Sequence, residues 1–188
     1  MTAQVTFRQA DDGDLDVLVR LHDDVARWMT DHGIEQWKPG ARGPEHFRRR
    51  IAEGEVWLAL LGGRPVGAYE LWWRDEDVWG PQLPVAGYVH RLMTDREAAP
   101  AGTGRLLLDH AERRTAAAGR GLARLDCEAA DPRLRTYYEG AGYAVVGRLE
   151  KAAADGRRYA VALMEKPLTE QPVTHPVAEH PVTEQPVG

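Results

Sequence analysis

The sequence contains a single cysteine, Cys127, among its 188 residues. One cysteine cannot form a disulfide within the chain and cannot supply a cysteine-rich metal site, so we expect a reducing, cytoplasmic location. His22, His32 and His46 lie far apart in the sequence and lack matching carboxylates at metal-ligand spacing. The sequence therefore predicts no metal cofactor.

Basic residues are not in excess, and long apolar runs are lacking. The formal net charge of −5 argues against a general nucleic-acid binder. No stretch approaches the length of a membrane span, and the first residues lack the basic start and hydrophobic run of a secretory signal. With 43% hydrophobic and 28% charged residues, the composition is that of a single folded domain with no nucleic-acid or membrane partner.

The apolar periodicity predicts the element order β-α-α-β-β-β-α-β-α-β-β. The two apolar runs on either side of "GGRP" (62–65) have the pattern of a hairpin. One strand–helix–strand unit, roughly residues 86–128, requires a parallel strand pair with a right-handed crossover. We therefore predict a mixed α/β fold of the α+β kind, in which helices flank a central, mostly antiparallel, seven-stranded sheet.

The composition changes after Lys166. Residues 167–188 repeat "TEQPV" and "HPV", contain five prolines and show no apolar periodicity. This pattern predicts a solvent-exposed, extended tail that follows a folded domain over residues 1–166. The alternative is a tail that docks on a neighbouring subunit.

Gly102 and Gly104 directly precede a predicted amphipathic helix. Glycine is common wherever the backbone turns sharply, but exposed amides at a helix N-terminus also suit a phosphate. The segment lacks the third glycine of a dinucleotide-binding fingerprint and the Lys-Ser/Thr pair of a P-loop. From the residues alone, turn geometry and anion binding both stay open.

The sequence contains four motifs in a fixed order: "LMT" (92–94), "GTGR" (102–105), "ADPRL" (130–134) and "YEGAGY" (138–143). Together they resemble the GNAT superfamily of N-acetyltransferases, over residues 5–166. The resemblance implies a GNAT-like fold, acetyl-coenzyme A (acetyl-CoA) as co-substrate and an amine acceptor. It also implies a splayed strand pair whose open edge meets the pantetheine arm. Relatives often form homodimers, but the residues of this sequence leave the oligomeric state open.

The resemblance further implies which residues contact acetyl-CoA. Amides of the loop and helix start would hold the pyrophosphate, and the strand edge would pair with pantetheine. The implied cofactor-binding residues are Leu92, Met93, Thr94, Ala101, Gly102, Thr103, Gly104, Arg105 and Asp131, the last replacing the family's usual asparagine. Ala99 replaces the usual arginine or glutamine, and Pro100 replaces a common glycine and has no amide proton to donate.

Transfer to an amine needs a proton acceptor, and the departing thiolate benefits from a proton donor. Tyr138 matches the family's tyrosine acid, although its position on an apolar helix stripe is also typical of packing. His90 is a candidate base, because an imidazole titrates near pH 6.5 in its ordinary state; a packed, hydrogen-bonded strand histidine is the alternative. Glu70 is a rival base on the neighbouring strand, and a water chain is a further possibility.

Two tryptophans are candidates for contacting the acceptor. Trp37 lies in the loop that lines the acceptor cleft in relatives, and Trp79 follows the acids Asp75, Glu76 and Asp77. Aromatic faces near carboxylates attract cationic amines, although acids in such a loop are commonly just solvated.

The predicted function is direct, acetyl-CoA-dependent transfer to a primary amine of a small molecule or peptide. The position of Cys127 on the apolar face of a predicted strand argues against an acetyl-cysteine intermediate. Two alternatives are a non-catalytic acyl-CoA sensor and an interaction module that acts through the proline-rich tail.

Overall fold

The computed structural model describes residues 4–34, 36–153 and 156–168. Within them, seven strands form one sheet: β1 (Val5–Gln9), β2 (Glu55–Leu61), β3 (Arg64–Trp72), β4 (Ala86–Thr94), β5 (Leu122–Glu128), β6 (Ala144–Ala152) and β7 (Arg158–Pro167). The α-helices of these ranges are α1 (Leu15–Asp31), α2 (Pro44–Glu53), α3 (Glu76–Trp79), α4 (Thr103–Ala117) and α5 (Pro132–Gly140), with a 3₁₀ turn at Asp12–Asp14.

The strand order across the sheet is β1-β2-β3-β4-β5-β7-β6. Every neighbouring pair is antiparallel except β4 and β5, which are parallel and joined through α4. Helix α4 contacts β3, β4 and β5, whereas α1 contacts α2, β3 and β4. The predicted seven-stranded, mostly antiparallel α+β fold is confirmed.

Helix α4 packs closely on the sheet. Its buried residues Leu107, Leu108, Ala111 and Thr115 recur at helical spacing, as the apolar stripe predicted. The close approach depends on Gly87 of β4, because a Cβ there would overlap the Thr115 hydroxyl oxygen. This packing fixes where the N-terminus of α4 stands relative to β4.

The parallel strands β4 and β5 separate soon after they begin. Their pairing ends at Tyr88 and Arg124, although β4 continues to Thr94 and β5 to Glu128. An irregularity in the β3–β4 register accompanies the separation, and Arg91 beside it adopts φ +46°. The resulting gap is the splayed strand pair that the family resemblance implied.

The segment between β3 and β4 differs from the simple loop that the sequence indicated. It contains the short helix α3, and Asp75 directly before this helix is only 6% exposed. A solvated loop acid would be largely exposed, so that explanation is wrong for Asp75, although Glu76 and Asp77 are exposed.

Strand β7 continues to Pro167, and the Leu168 N–H donates to the Gly121 carbonyl at 2.8 Å. The predicted tail begins at residue 167, and its residues 169–188 lie outside the described residues. In the part of the chain that the structure covers, none of the helices combines the length and apolarity that crossing a membrane requires.

Candidate active site

The loop before α4 is held in place by Asp95. Its carboxylate accepts the N–H groups of Glu97 at 3.1 Å and Ala98 at 2.9 Å, and lies 3.6 Å from the guanidinium groups of Arg20 and Arg64. Burial alone would raise the pKa of Asp95, but the two N–H donors and the two arginines outweigh it and lower the pKa. The loop therefore has a fixed, charged anchor.

Several backbone amides at the start of α4 are unpaired. Thr103 N–H donates to Pro100 and Leu106 N–H donates to Gly102, each at 3.1 Å. Within the described ranges, the N–H groups of Ala101, Gly102, Gly104 and Arg105 have no hydrogen-bond acceptor. Gly102 has φ +86°, a conformation that favours glycine. Unpaired amides at the positive end of a helix dipole are suited to an anionic group.

Two of the four sequence motifs, "LMT" and "GTGR", meet at Gly104, beside Tyr137 of α5. A Cβ at this position would lie 3.1 Å from the Tyr137 hydroxyl, 3.6 Å from a Leu92 methyl and 4.0 Å from the Thr94 methyl. The absence of a side chain thus keeps a passage open between the N-terminus of α4, the end of β4 and α5. Tyr137 covers this passage from the α5 side.

Other predicted cofactor residues use their side chains locally. Met93 is buried in the core with α1, and the Thr103 hydroxyl donates to the Pro100 carbonyl at 2.7 Å. The Arg105 guanidinium pairs with Asp109 at 2.7 Å. Asp131 caps α5 by accepting the N–H of Arg133 at 2.9 Å. For Met93 and Thr103, only the backbone is available to a ligand.

A cleft of about 740 Å³ extends from the separation of β4 and β5, a volume typical of small-molecule sites. Tyr138 and Leu134 of α5 form one wall, and Leu92 of β4 lies opposite Cys127 of β5. Burial raises the pKa of Tyr138, so its phenol carries a proton at neutral pH. Burial also raises the pKa of the Cys127 thiol to about 11, so this group is a thiol and not a thiolate.

Glu70 lies outside this cleft, fully buried beneath it. Its carboxylate accepts hydrogen bonds from His46 Nε2 at 3.0 Å, Trp72 Nε1 at 2.9 Å and the Arg91 guanidinium at 2.8 Å. Burial would raise the pKa of Glu70, but His46 and Arg91 together reverse the effect and lower it. This environment suits a residue that positions Arg91 more than one that accepts a proton from an acceptor.

His90 lines the cleft, with its ring 3.9 Å from the Trp72 ring. His90 Nε2 lies 3.0 Å from Asp75 Oδ2, and neither atom has a hydrogen-bond partner among the residues that the structure describes. Asp126 of β5 completes a group whose polar atoms all lie within 4.8 Å of one another. The structure thus brings His90 together with two acids.

The two predicted acceptor tryptophans have different positions. Trp37 lines the cleft and stacks on His22, with ring centroids 5.1 Å apart. Trp79 does not line it; its ring packs against Tyr88 at 6.0 Å and lies under the Arg124 guanidinium at 4.8 Å. Of the two residues, only Trp37 is placed to contact a ligand in this cleft.

Sequence reasoning did not single out Asp126, Arg91 or Trp72 as site residues, and it considered Asp75 only as a loop acid near Trp79. Asp126 alternates with apolar residues on β5, a pattern that any strand at a sheet surface shows. Nothing in the residues around Arg91 indicates a positive φ. These contacts depend on the register of β3 with β4 and on the separation of β4 from β5.

The site combines a glycine turn at the N-terminus of α4 with two parallel strands that diverge beside it. This combination is typical of the acyl-CoA-dependent transferases that the sequence motifs indicated. A family model described as an acetyltransferase (GNAT) domain matches residues 25–159. This chain belongs to the GNAT family and is an N-acetyltransferase, as the motifs implied.

Similar proteins agree with this assignment. The N-acetyltransferase YesJ of Bacillus subtilis, itself uncharacterised, is 28% identical over 154 residues, which cover 77% of this chain and 80% of YesJ. A GNAT-family acetyltransferase structure from Listeria monocytogenes is 27% identical, with TM-score 0.70 and coverage of 89% and 99%. A PaiA N-acetyltransferase from Thermoplasma acidophilum in complex with coenzyme A has the same fold at 18% identity, with TM-score 0.63 and coverage of 87% and 99%.

Proposed function

We propose that this enzyme transfers the acetyl group of acetyl-CoA directly to a primary amine of a small molecule or peptide. The observation that carries the proposal is the separation of β4 from β5 beside the unpaired amides of α4. An open strand edge with an anion site beside it matches an extended, amide-bearing thioester with a pyrophosphate.

Family membership and the coenzyme A in the Thermoplasma relative support acetyl-CoA as the donor. In this chain, the amides of Ala101, Gly102, Gly104 and Arg105 are the candidates for holding the pyrophosphate. The backbone of β4 near Leu92 and Thr94 offers an edge to the pantetheine amides. Pro100 contributes no N–H, so this loop has one donor fewer than the family pattern provides.

Acetyl-CoA supplies an activated acyl carbon: a C–N bond forms, the C–S bond breaks, and two protons must move. The Tyr138 phenol is the candidate donor to the leaving sulfur, since burial keeps it protonated. His90 Nε2 is the candidate acceptor for the proton of the attacking amine. Asp75 Oδ2 lies 3.0 Å from that nitrogen.

Two further observations narrow the mechanism that we propose. Glu70 is enclosed by its three donors and does not reach the cleft, which favours His90 as the base. A protonated, buried Cys127 is a poor nucleophile at neutral pH, which favours direct transfer over an acetyl-cysteine.

The proposal is tested by thermal unfolding with acetyl-CoA, desulfo-coenzyme A and NAD side by side. A ligand at 100 times its dissociation constant stabilises the native state by about 2.7 kcal/mol, so both coenzyme A compounds should raise the Tm and NAD should not. Thiol release from acetyl-CoA in the presence of primary amines then tests turnover. No Tm shift with either coenzyme A compound would contradict the proposal, and a shift without turnover would favour the acyl-CoA sensor.

A further inference from the structure

The end of the cleft near α3 contains three hydrogen-bond acceptors from separate parts of the chain. Asp75 precedes α3, His90 is on β4 and Asp126 is on β5, and their polar atoms lie within 4.8 Å of one another. An ammonium group donates three hydrogen bonds of about 2.9 Å, and at tetrahedral angles its acceptors lie roughly 4.7 Å apart. The three residues are close enough for one ammonium to reach all of them, although His90 Nε2 and Asp75 Oδ2, at 3.0 Å, are nearer to each other than the tetrahedral spacing.

The buried Asp75 carboxylate receives no hydrogen bond from the described residues. Its side chain is only 2% exposed. His90 Nε2 lies 3.0 Å from this carboxylate but makes no hydrogen bond with it. A buried carboxylate without a donor is unfavourable, and a cationic donor from a ligand relieves it.

The cleft is lined by charged groups of both signs. The further acids are Asp77 on α3 and Glu128 on β5. The cations are Lys38 and Arg42 between α1 and α2, Arg91 on β4, Lys151 on β6 and Arg157 before β7. A ligand in the cleft thus meets both acids and cations, and Lys38 and Arg42 are the cations that lie away from the sheet.

Lys38 and Arg42 are exposed, and neither has a carboxylate partner among the residues that the structure describes. Arg42 donates only to the carbonyl of its neighbour Ala41. Burial lowers the pKa of His22 in the same cleft; Asp23 opposes this lowering, and the positive charges of Arg91 and Arg42 add to it. Both cations are therefore available to an anionic group of a ligand.

We infer that the acceptor is a small primary amine that also carries an anionic group, either a carboxylate or a phosphonate. Asp75, His90 and Asp126 receive its ammonium, and Lys38 and Arg42 hold its anion. This inference rests on the proposed acetyl transfer and names the acceptor class for that same site. A peptide or protein amine without a nearby anion fits the cleft less well.

The test compares acceptors that differ only in the anion. A series of ω-amino carboxylates and aminoalkylphosphonates is paired with n-alkylamines of equal chain length, and kcat/KM is measured by thiol release from acetyl-CoA. We expect the anionic member to be preferred at least tenfold at one or more chain lengths. Equal rates, a preference for the alkylamines, or no transfer to any anionic member would overturn the inference.

Variants of Lys38 and Arg42 test whether these two residues cause the preference for anionic acceptors. Arg42→Gln and Lys38→Gln should each reduce the ratio of kcat/KM for the anionic over the uncharged member at least threefold. Arg49→Gln, an exposed arginine outside the cleft, is the matched control and should leave the ratio unchanged. A ratio that does not change in Arg42→Gln and Lys38→Gln would contradict the role of these residues.

Asp75→Asn and Asp126→Asn test the ammonium end and should lower kcat/KM at least tenfold for both members of a pair. The Tm shift with acetyl-CoA confirms that each variant is folded. Turnover that is lost with EDTA and restored by Zn²⁺ would assign the three acceptors to a metal and overturn the ammonium role. Transfer to alkylamines alone refutes only the acceptor class, whereas no binding of acetyl-CoA refutes the proposed function itself.

Discussion

The Arg91 guanidinium lies 2.8 Å from the Glu70 carboxylate, a fully buried group. Among the described residues, Arg91 is the one non-glycine residue with positive φ, and it lies where the register of β3 and β4 shifts. A positive φ costs an L-residue about 1–2 kcal/mol. The ion pair therefore holds a strained backbone that leads directly into Leu92 and the open edge of β4.

Replacing Glu70 should destabilise the fold. Glu70→Ala leaves Arg91 and His46 without their buried acceptor, and loss of one partner of a buried ion pair costs about 3–5 kcal/mol. The free energy of unfolding in urea measures the effect. Glu53→Ala is the matched control, because Glu53 also pairs with an arginine, at 3.1 Å, but its side chain is 56% exposed, so it should lose less than about 1 kcal/mol. Equal losses in both variants would contradict the stabilising role of Glu70.

Tyr138→Phe should lower kcat without weakening acetyl-CoA binding. General acid catalysis contributes about 100-fold or more, so we expect at least this loss at saturating acetyl-CoA. Tyr137→Phe is the control. The Tyr137 ring lies 5.2 Å from the Tyr138 ring, and removal of its hydroxyl should keep kcat within about threefold of the wild-type value. Both variants should retain the Tm shift with desulfo-coenzyme A. An unchanged kcat in Tyr138→Phe would assign this residue to packing.

His110 should make stability depend on pH. Burial, with the charges of Arg113 and Arg114, lowers its pKa to about 4, and Tyr69 O–H donates to its Nδ1 at 2.7 Å. The folded state binds a proton at His110 less readily than the unfolded state does. The contribution of neutral His110 to the free energy of unfolding is therefore complete above about pH 6.5 and is lost as the pH falls towards 4.

Unfolding in urea at pH 7, 6, 5 and 4 measures this dependence. His110→Gln should lower stability at pH 7 and flatten its decline between pH 6.5 and 4, whereas His32→Gln, at an exposed position, should keep the wild-type slope. A wild-type slope in His110→Gln would show that other groups control the acid sensitivity.

Gly104→Ala should weaken acetyl-CoA binding while the fold is retained. The new Cβ would lie 3.1 Å from the Tyr137 hydroxyl, which is the movable end of a side chain, and it would narrow the passage beside Leu92. We expect the KM for acetyl-CoA to rise about tenfold, equivalent to about 1.4 kcal/mol. In Gly121→Ala, where a Cβ meets nothing within 4 Å, KM should not change. An unaltered KM in Gly104→Ala would place the cofactor elsewhere.

Local features of the sequence were sufficient for the seven strands, the longer helices and their order, but not for the four-residue helix α3. Helix α4 could be predicted because its buried residues recur at helical spacing after a glycine turn, and α5 because Asp131 and Pro132 form a standard helix start. The motifs for the family are also local, since each lies within a loop or at the end of one element. Periodicity, capping and turn chemistry act between residues that are near in sequence.

The tertiary structure alone decided how the site is composed. Asp75 and Asp126 are 51 positions apart in sequence and meet His90 only because β4 and β5 separate after Tyr88. Burial likewise turned Glu70 from a candidate base into the acceptor of three hydrogen bonds. Strand register and divergence result from the packing of the whole sheet against its helices, and no local pattern specifies which polar side chains that packing encloses.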